Sequence, residues 1–415
     1  MNLNWLLSRT VRVAVQMRKH VTKILEAQRD LLTPQAVSAV SGSMESIDRA
    51  VSGKLDKQTL EQEMSNLEAV ANKWLKPYPN AGLRENVEVL LVAIAVAMGI
   101  RTFFVQPFKI PTGSMQPTLY GVTSRPDFTR QPPLLPEPSL EIPNPISRFF
   151  QYWFSGVQYK HVVARSDGAI RAMDEQPAKF LIFNLKQQFY LQDDPKPYTV
   201  WFPPENLFRR AGLVHGAGHS PRIYKKGEDI IKLVAISGDH LFVDRLTYNF
   251  RRPHRGEIIV FETKNIPDMA ESQQGQFYIK RLVAMGSEKV RIGNDRHLII
   301  EGKRLDNSTP HFERIYSFPP EQPPTESTYS GHVNQMIARQ SGILGELAPL
   351  FQNELQEYVV PPNRYMVMGD NTVNSFDSRA WGSFPRENVI GKSFFVYWPI
   401  GRQQDRSSRF GWGNR

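Results

Sequence analysis

The feature that most constrains this chain is an apolar run in its first third, ENVEVLLVAIAVAMGIRTFFVQPF. No charged or hydrogen-bonding side chain interrupts Val89 to Ile100, and the wider segment 87–106 reaches the roughly 20 residues that a bilayer-spanning helix needs. Arg101 lies near enough to one end to extend its guanidinium to the lipid headgroups. A buried core helix is the alternative, although core helices seldom carry so few polar residues over four turns. We therefore predict a membrane-spanning helix over 87–106.

The part of the chain before this run is predicted to be helical and soluble. Two stretches, VRVAVQMRKHVTKILEAQRDLL and DKQTLEQEMSNLEAVANKWL, place apolar residues three or four positions apart, as amphipathic helices that pack together do. A basic first helix lying on a membrane surface is the weaker alternative. The apolar run begins too far from the N-terminus for a cleavable signal. Lysine and arginine are similarly dense on both of its sides, so their distribution indicates its orientation only weakly.

Beyond Gly121 the pattern is that of a mainly β protein. A proline-rich stretch, RPDFTRQPPLLPEPSLEIPNP, predicts an extended arm. Short runs such as KFLIFNL, GEIIVFET, FYIKRLVAM and SFFVYWP then alternate with turns, as strands do. One helix is expected to interrupt them, in GHVNQMIARQSGILGELAPLFQNELQEY.

Charge and composition exclude several classes of function. The net charge is +10, but the basic residues are scattered and form no run or finger spacing, so we predict no nucleic-acid partner and favour an anionic membrane surface. The chain has no cysteine, which excludes disulfides and thiolate chemistry. His215 and His219 form the only close histidine pair, in the glycine-rich HGAGH, where a turn is favoured over a metal site. We predict no metal and no cofactor.

One serine invites a catalytic interpretation. FKIPTGSMQPTLYG holds Ser114 between prolines, without a histidine or carboxylate in the stretch, so Ser114 is either turn material or a nucleophile whose base lies elsewhere. No histidine occurs in a recognisable Ser-His-Asp context. A lysine can act as the base if burial lowers its pKa by about 3 units, at a cost of about 4 kcal/mol, so it should lie in an apolar strand. Lys232 in DIIKLVAISGD and Lys280 in FYIKRLVAMGSE both qualify, and periodicity alone does not separate them.

Several motifs resemble those of bacterial type I signal peptidases, which are membrane-bound Ser/Lys endopeptidases that remove signal peptides from exported proteins. IRTFFVQPFKIPTGSMQPTLYG is similar to the end of that family's anchor and its serine box, and GDHLFVDRLTYNFRRPHRGEIIVF to the next stretch. YIKRLVAMGSEKV is similar to the lysine box and MGDNTVNSFDSRAWG to the last box. The resemblance covers roughly a third of the chain. It implies a signal-peptidase/LexA-like antiparallel β core.

The resemblance implies Ser114 as nucleophile and Lys280 as general base. Lys232 is then structural and marks the end of an insertion over 122–237, since the flanking stretches are contiguous in the family. A second Ser-Gly-Ser-Met string, around Ser43, lacks the following Pro-Thr-Leu and is interpreted as inert.

The remaining site residues are also implied by the resemblance. The Ser114 N–H and the Thr112 hydroxyl would form the oxyanion hole, and Ser375 would hydrogen-bond the lysine amine. The other supporting residues are an Asp377–Arg379 salt bridge, Arg281, and the turn of Gly369, Asp370 and Asn371. The residues that match the substrate-binding pocket, all of which could simply be core, are Phe108, Ile110, Pro111, Met115, Leu119, Tyr278 and Ile279.

The resulting organisation has five parts. They are a cytoplasmic helical segment 1–85, a single anchor 87–106, a peptidase core formed by 107–121 and 238–400, the insertion 122–237 with its proline-rich arm and a β-rich subdomain, and a tail 401–415. The expected location is the bacterial cytoplasmic membrane with the catalytic domain on the extracytoplasmic side. The expected partners are signal-peptide-bearing preproteins, the lipid bilayer and, as an option, the export machinery.

Two departures from the family pattern and two alternative functions stay open. The lysine box usually ends Pro-Gly-Asp, where this chain has Gly286, Ser287 and Glu288, and Thr372 stands where an arginine is frequent. A LexA-like self-cleaving protein would need a DNA-binding helix-turn-helix and no anchor. A catalytically decayed membrane-tethered scaffold would have lost a core residue, whereas Ser114, Lys280 and Ser375 are all present.

Overall fold

The structure is a computed structural model in which the described residues are 8–52, 56–75, 81–129, 140–180, 183–214, 222–317, 331–343, 345–401 and 408–412. The chain divides into two compact units, Met1–Val96 and Ala97–Arg415. His215 and His219 lie outside the described residues.

The first unit is a set of helices around its own apolar core. Its helices are α1 (Arg9–Gln28), α2 (Pro34–Ser52) and α3 (Lys57–Trp74). Asp56 caps α3 by accepting hydrogen bonds from the backbone N–H groups of Gln58 and Thr59, which satisfies donors that a helix start leaves free. The core residues are Val11, Val40, Ile47, Leu60 and Leu67. Two helices were named here from the sequence; α2 lies between them, and its buried residues Ala36, Val40, Ser43 and Ile47 follow the three- or four-residue spacing of an amphipathic helix.

Helix α4 (Ala81–Phe103) crosses the boundary between the units. Among the described residues it alone is long and apolar enough to cross a membrane, over Gly82–Phe103, and none of that segment is buried. The helix therefore fits a membrane anchor. It ends before the predicted limit of 106, because Val105 already starts a strand.

The second unit is mainly β, as predicted. Its described strands are β1 (Val105–Lys109), β2 (Thr123–Arg125), β3 (Val157–Val163), β4 (Gly168–Met173), β5 (Ala178–Phe180), β6 (Phe183–Leu191), β7 (Tyr198–Trp201), β8 (Ile223–Tyr224), β9 (Asp229–Ile236), β10 (His240–Asp244), β11 (Ile258–Glu262), β12 (Phe277–Met285), β13 (Lys289–Ile292), β14 (Leu298–Ile300), β15 (Lys303–Arg304), β16 (Tyr358–Val359), β17 (Arg364–Met368), β18 (Phe384–Pro385) and β19 (Val389–Trp398). Its described α-helices beyond α4 are α5 (Pro145–Ser155), α6 (Leu207–Arg210), α7 (Thr247–Phe250), α8 (Gln335–Gln340) and α9 (Ser378–Trp381).

The strands form four sheets in which each hydrogen-bonded pair is antiparallel. The largest sheet has the order β1-β10-β19-β11-β12-β17-β18. A smaller sheet has the order β15-β14-β13-β16, and its strand β13 directly follows β12 of the largest sheet in the chain. The predicted insertion contains the sheets β2-β9-β3 and β5-β6-β4-β8, with β7 paired to β6. The insertion has its own core, which includes Phe189, Leu191 and Leu233.

The centre of the largest sheet is buried on both faces. In β11 the run Ile258 to Phe261 is buried throughout, which explains why its sequence is continuously apolar rather than alternating. Its two faces contribute to two clusters: Ile259 and Phe261 pack with Trp381 and Phe384, whereas Ile258 and Val260 pack with Met115 and Leu119. The second cluster places the residues that follow Ser114 in the core.

One local prediction was wrong, and one helix was not predicted. The helix expected over 331–358 is reduced to α8, because Gly342 and Gly345 adopt positive φ angles and Pro349 follows. The end of the proline-rich stretch begins α5, where Asn144 caps the first turn, Pro145 occupies the first helical position and Gly156 ends the helix at φ 67°. Five of the exposed large side chains of α5 are Ile146, Phe149, Phe150, Trp153 and Phe154.

Candidate active site

Ser114 lies on a loop between β1 and β2, residues 110–121, which we call the serine loop. The backbone of Asp239 holds both ends of the loop. The Ile110 N–H donates to the Asp239 carbonyl oxygen (2.9 Å), and the Asp239 N–H donates to the Tyr120 carbonyl oxygen (2.8 Å). A Cβ added to Gly121 would lie 2.1 Å from the Thr112 carbonyl oxygen, so only glycine permits this close crossing of the two ends. The loop is therefore a closed and fixed structure.

Lys280 is on β12, in the middle of the largest sheet. β12 pairs with β11 on one side and β17 on the other, and Lys280 lies opposite Ile259 in the register. Its side chain is buried, with a residue exposure of only 5%. At Lys280 itself the backbone pairs with β11, whereas the pairing with β17 begins at the next residue, Arg281.

The structure brings Ser114 and Lys280 together. The lysine Nζ lies 2.8 Å from the serine Oγ and donates to it, and it also donates to the Ile279 carbonyl oxygen at 3.2 Å. Burial lowers the pKa of Lys280 to about 8; the Asp377 carboxylate opposes this shift and the Arg379 guanidinium adds to it. A lysine with this pKa carries a substantial neutral fraction near neutral pH. It can therefore accept a proton from the hydroxyl that it contacts.

Arg281 and Asp370 form a buried ion pair on one side of the serine loop. The Arg281 Nε and Nη2 donate to the two carboxylate oxygens of Asp370 at 2.8 and 2.6 Å, a bidentate geometry. The Thr118 hydroxyl donates to the same carboxylate at 2.5 Å. Thr118 thereby ties the loop to the pair; it was not among the predicted site residues, although it belongs to the Pro-Thr-Leu string that the sequence displayed.

Asn371 holds the backbone around Ser114 directly. Its N–H donates to the Ser114 carbonyl oxygen and its side-chain amide to that of Gly113, both at 3.0 Å. A Cβ added to Gly369 would lie 2.5 Å from the Ser114 carbonyl oxygen. The turn that contains Gly369, Asp370 and Asn371 is thus packed against the serine loop.

Asp377 and Arg379 form a second ion pair, with both side chains fully buried. Burial by itself would raise the pKa of Asp377, but Arg379 and the Gly369 N–H hold that pKa below its usual value. Arg379 also donates to the hydroxyl and to the carbonyl oxygen of Thr372, both at 2.7 Å. At this position a threonine hydroxyl therefore serves as a hydrogen-bond partner of the arginine.

Ser375 is buried, but the hydrogen bond expected between it and the Lys280 amine is not made. No hydrogen bond joins the Ser375 Oγ to the lysine amine; the neighbouring group that this hydroxyl influences is the Asp377 carboxylate, whose pKa it helps to lower. The Ser375 Oγ lies against Gly369, where an added Cβ would approach it to 2.2 Å, while the lysine amine is directed at Ser114 and Ile279.

The remaining predicted site residues divide by exposure. Thr112 is exposed and its hydroxyl oxygen lies 3.4 Å from the Ser114 Oγ. Of the residues predicted to line the pocket, Ile110, Met115 and Leu119 are buried in the core. Phe108, Tyr278 and Ile279 are half-buried, and Pro111 is exposed. The half-buried and exposed members are the ones that present surface to a ligand.

Lys232 and Ser43, whose sequence contexts are similar to those of Lys280 and Ser114, lie elsewhere in the structure. Lys232 is on β9 in the insertion, and its ammonium pairs with Asp229 at 3.6 Å. Ser43 lies within helix α2 of the first unit. At the first departure from the family pattern, the Gly286–Glu288 turn, Glu288 pairs with Arg255 at 2.6 Å. That turn joins β12 to β13, beyond the lysine.

Comparison with known proteins places the chain in a family. The family described as signal peptidase, peptidase S26, matches residues 83–124 and 234–398, which include Ser114 and Lys280. The chain belongs to this peptidase family. The matched segments leave out residues 125–233, most of the predicted insertion.

Named relatives of the chain are signal peptidases. The signal peptidase I of Leptolyngbya laminosa is 26% identical over 179 residues, which cover 43% of this chain and 69% of the relative. The probable signal peptidase I-2 of Synechocystis sp. is 29% identical over 170 residues, which cover 40% of this chain and 57% of the relative. A crystal structure of a signal peptidase I from Enterococcus faecalis is 24% identical and matches 34% of this chain and 97% of that chain, with a TM-score of 0.22. That score is too low to support an argument.

Two further residues contact the serine loop and were not predicted from the sequence. Asp239 belongs to a Gly-Asp pair that precedes β10, and Arg409 to the segment predicted as a tail. The attachment of the loop ends to Asp239 gave no signal in the sequence, since it joins residues that are more than a hundred positions apart.

Proposed function

We propose that this chain is a membrane-bound serine endopeptidase that cleaves N-terminal signal peptides from exported preproteins, with Ser114 as the nucleophile and Lys280 as the general base. The observation that carries the proposal is the 2.8 Å contact between the lysine Nζ and the serine Oγ in a buried setting. A decayed scaffold would have no need to keep a buried lysine at its own desolvation cost.

In the proposed reaction, neutral Lys280 removes the proton of the Ser114 hydroxyl as its Oγ attacks the scissile carbonyl carbon. The Oγ–C bond forms and the carbonyl becomes an oxyanion. The Ser114 backbone N–H and the Thr112 hydroxyl stabilise that charge. The lysine ammonium then gives its proton to the leaving amine as the C–N bond breaks, and an acyl-enzyme remains. Water, deprotonated by the same lysine, hydrolyses the ester and frees Ser114.

The preprotein is proposed to bind as an extended strand, with small side chains entering shallow pockets. Surface for this purpose is offered by Phe108, Tyr278 and Ile279, which are half-buried on β1 and β12. Strand alternation places every second substrate side chain on the same face, which suits recognition of residues two positions apart.

Attachment to the bilayer is proposed to use α4 as a single span, with the first unit in the cytoplasm and the second on the extracytoplasmic side. The full exposure of α4 supports this, because an apolar helix of that length has no other medium to bury it. The exposed aromatic residues of α5, such as Trp153 and Phe154, are of the kinds found at membrane interfaces.

The test is preprotein cleavage in detergent by the full chain and three variants. Ser114→Ala and Lys280→Ala should each abolish cleavage, whereas Lys232→Ala, the matched control on an apolar strand of the insertion, should cleave like the wild type. If Lys280→Ala stays active, or if Lys232→Ala is inactive, the assignment of the base is wrong. A wild type that cleaves no preprotein rejects the function itself.

A further inference from the structure

The serine loop is held from the side of β10 by a carboxylate that the proposed catalytic set does not contain. Asp239 is fully buried, and besides its two backbone hydrogen bonds to the loop its Oδ2 accepts the N–H of Tyr120 at 2.7 Å. Both ends of the loop, at Ile110 and Tyr120, are thus bound to one residue. A carboxylate in this position needs a counter-charge, since burying it alone is costly.

Arg409 supplies that counter-charge. Its Nε donates to the Asp239 Oδ2 and its Nη2 to the Oδ1, both at 2.7 Å, so the pair is bidentate. The guanidinium also lies over the Tyr120 ring, 4.2 Å from its centroid. Arg409 is almost completely buried, at 9% exposure.

The segment that carries Arg409 is attached to the sheet rather than loose. Gly411 and Val396 of β19 exchange two backbone hydrogen bonds, at 2.9 and 3.0 Å. Phe410 contacts Phe395 edge-on, with ring centroids 5.3 Å apart. These contacts, made by the two residues that directly follow Arg409, fix the direction from which the guanidinium approaches Asp239.

We propose that Arg409 is a positioning residue for Ser114. It neutralises and orients Asp239, Asp239 fixes the two ends of the serine loop, and the loop in turn sets the distance from the Ser114 Oγ to the Lys280 amine. The inference rests on the proposed roles of Ser114 and Lys280. A second arginine–aspartate pair, Arg281 and Asp370, also holds the serine loop, through Thr118.

The expected kinetic signature is a loss of kcat with little change in KM, because Arg409 acts on the dyad and touches neither the reacting atoms nor the half-buried surface offered to substrate. A small displacement of reacting groups costs about 100-fold in rate. We expect Arg409→Ala to lower kcat by roughly 10- to 100-fold. Arg409→Lys, which keeps the charge but loses the bidentate fork, should recover part of the loss.

The experiment uses the full chain in detergent and follows preprotein cleavage together with hydrogen–deuterium exchange of peptides covering 108–121. The variants are Arg409→Ala, Arg409→Lys, Asp239→Asn and the double variant Arg409→Ala/Asp239→Asn. The double variant should lose less than the product of the two single losses, since removing both partners leaves no unpaired buried charge. The matched control is Arg165→Ala in the insertion, where Arg165 pairs with Asp194 and lies 3.9 Å from the Tyr198 ring centroid.

The outcomes separate this inference from the proposed function. If the wild type cleaves and Arg409→Ala keeps both its kcat and its slow exchange over 108–121, the inference is overturned. If the wild type cleaves nothing, the proposed function fails, and hydrogen–deuterium exchange alone tests the positioning role of Arg409. Faster exchange over 108–121 in Arg409→Ala but not in Arg165→Ala supports that role. Unchanged exchange in Arg409→Ala rejects it. Should Arg409→Ala fail to fold, the same comparisons are made with Arg409→Lys.

Discussion

At the scale of single residues, the energetics of Lys280 control the site. An ammonium taken out of water loses hydration that a strand interior does not replace, so burial favours the neutral amine and lowers the pKa to about 8. The unfolded chain therefore binds more protons than the folded one from about pH 8 up to the ordinary lysine value of 10.5. Over that window the contribution of Lys280 to stability increases with pH.

The same pKa predicts how cleavage depends on pH. If the neutral amine acts as the base, as proposed, kcat/KM should rise tenfold per pH unit below about 8 and level off above it. At pH 6 the neutral fraction is about one hundredth, so the rate should be about 100-fold below the plateau. A pH profile of kcat/KM on a preprotein substrate measures this. The Lys232→Ala control should show the same rise of kcat/KM with pH. A profile that is flat between pH 6 and 8 would contradict the proposal that Lys280 is the base.

At the scale of elements, the position of the serine loop depends on the absence of a side chain at one point. A Cβ added to Gly238 would lie 2.0 Å from the Ile110 carbonyl oxygen, which is backbone and cannot move alone. Gly238→Ala should therefore displace the start of the loop, destabilise the chain by about 1–3 kcal/mol and lower kcat. Thermal unfolding and cleavage kinetics measure the two effects.

The matched control for this change is Gly42→Ala in α2, where nothing lies within 4 Å of the added Cβ. It should leave both the unfolding temperature and kcat unreduced, because alanine is favoured over glycine within a helix. Gly238→Ala with an unchanged kcat would show that the close approach of Gly238 to Ile110 does not position Ser114.

The strands of the core and the apolar helix could be predicted from sequence because their signals are local. The continuous IIVF of β11 and the unbroken run of α4 each reflect one environment along the whole element. Helix α5 was missed because its aromatic residues follow a proline-rich stretch, and Arg409 because its partner Asp239 is 170 positions away. The hydrogen bond expected from Ser375 to the lysine failed for a similar reason, since side-chain direction is set by tertiary packing at Gly369.

At the scale of the whole molecule, most of the predicted insertion lies between the two segments that match the family. The family matches on both sides of residues 125–233, and the insertion buries its own cluster around Phe189 and Leu233. A self-contained core means that the insertion does not need the peptidase sheet to bury its apolar surface. The arm and subdomain predicted over 122–237 are therefore proposed to be a separate module that joins the peptidase through β2 and β9.

The absence of cysteine makes the proposed membrane topology directly testable. Ser65→Cys on α3 and Ser272→Cys after β11 each introduce a single thiol at an exposed serine, one in each unit. In bacteria that express the full chain, a membrane-impermeant maleimide should label Ser272→Cys in intact cells and Ser65→Cys only after the membrane is permeabilised. The cysteine-free parent is the control for background. Labelling of Ser65→Cys alone in intact cells would show that the orientation is the reverse of the one proposed. Labelling of both variants in intact cells would contradict a single span, because one helix that crosses the bilayer must leave the two units on opposite sides.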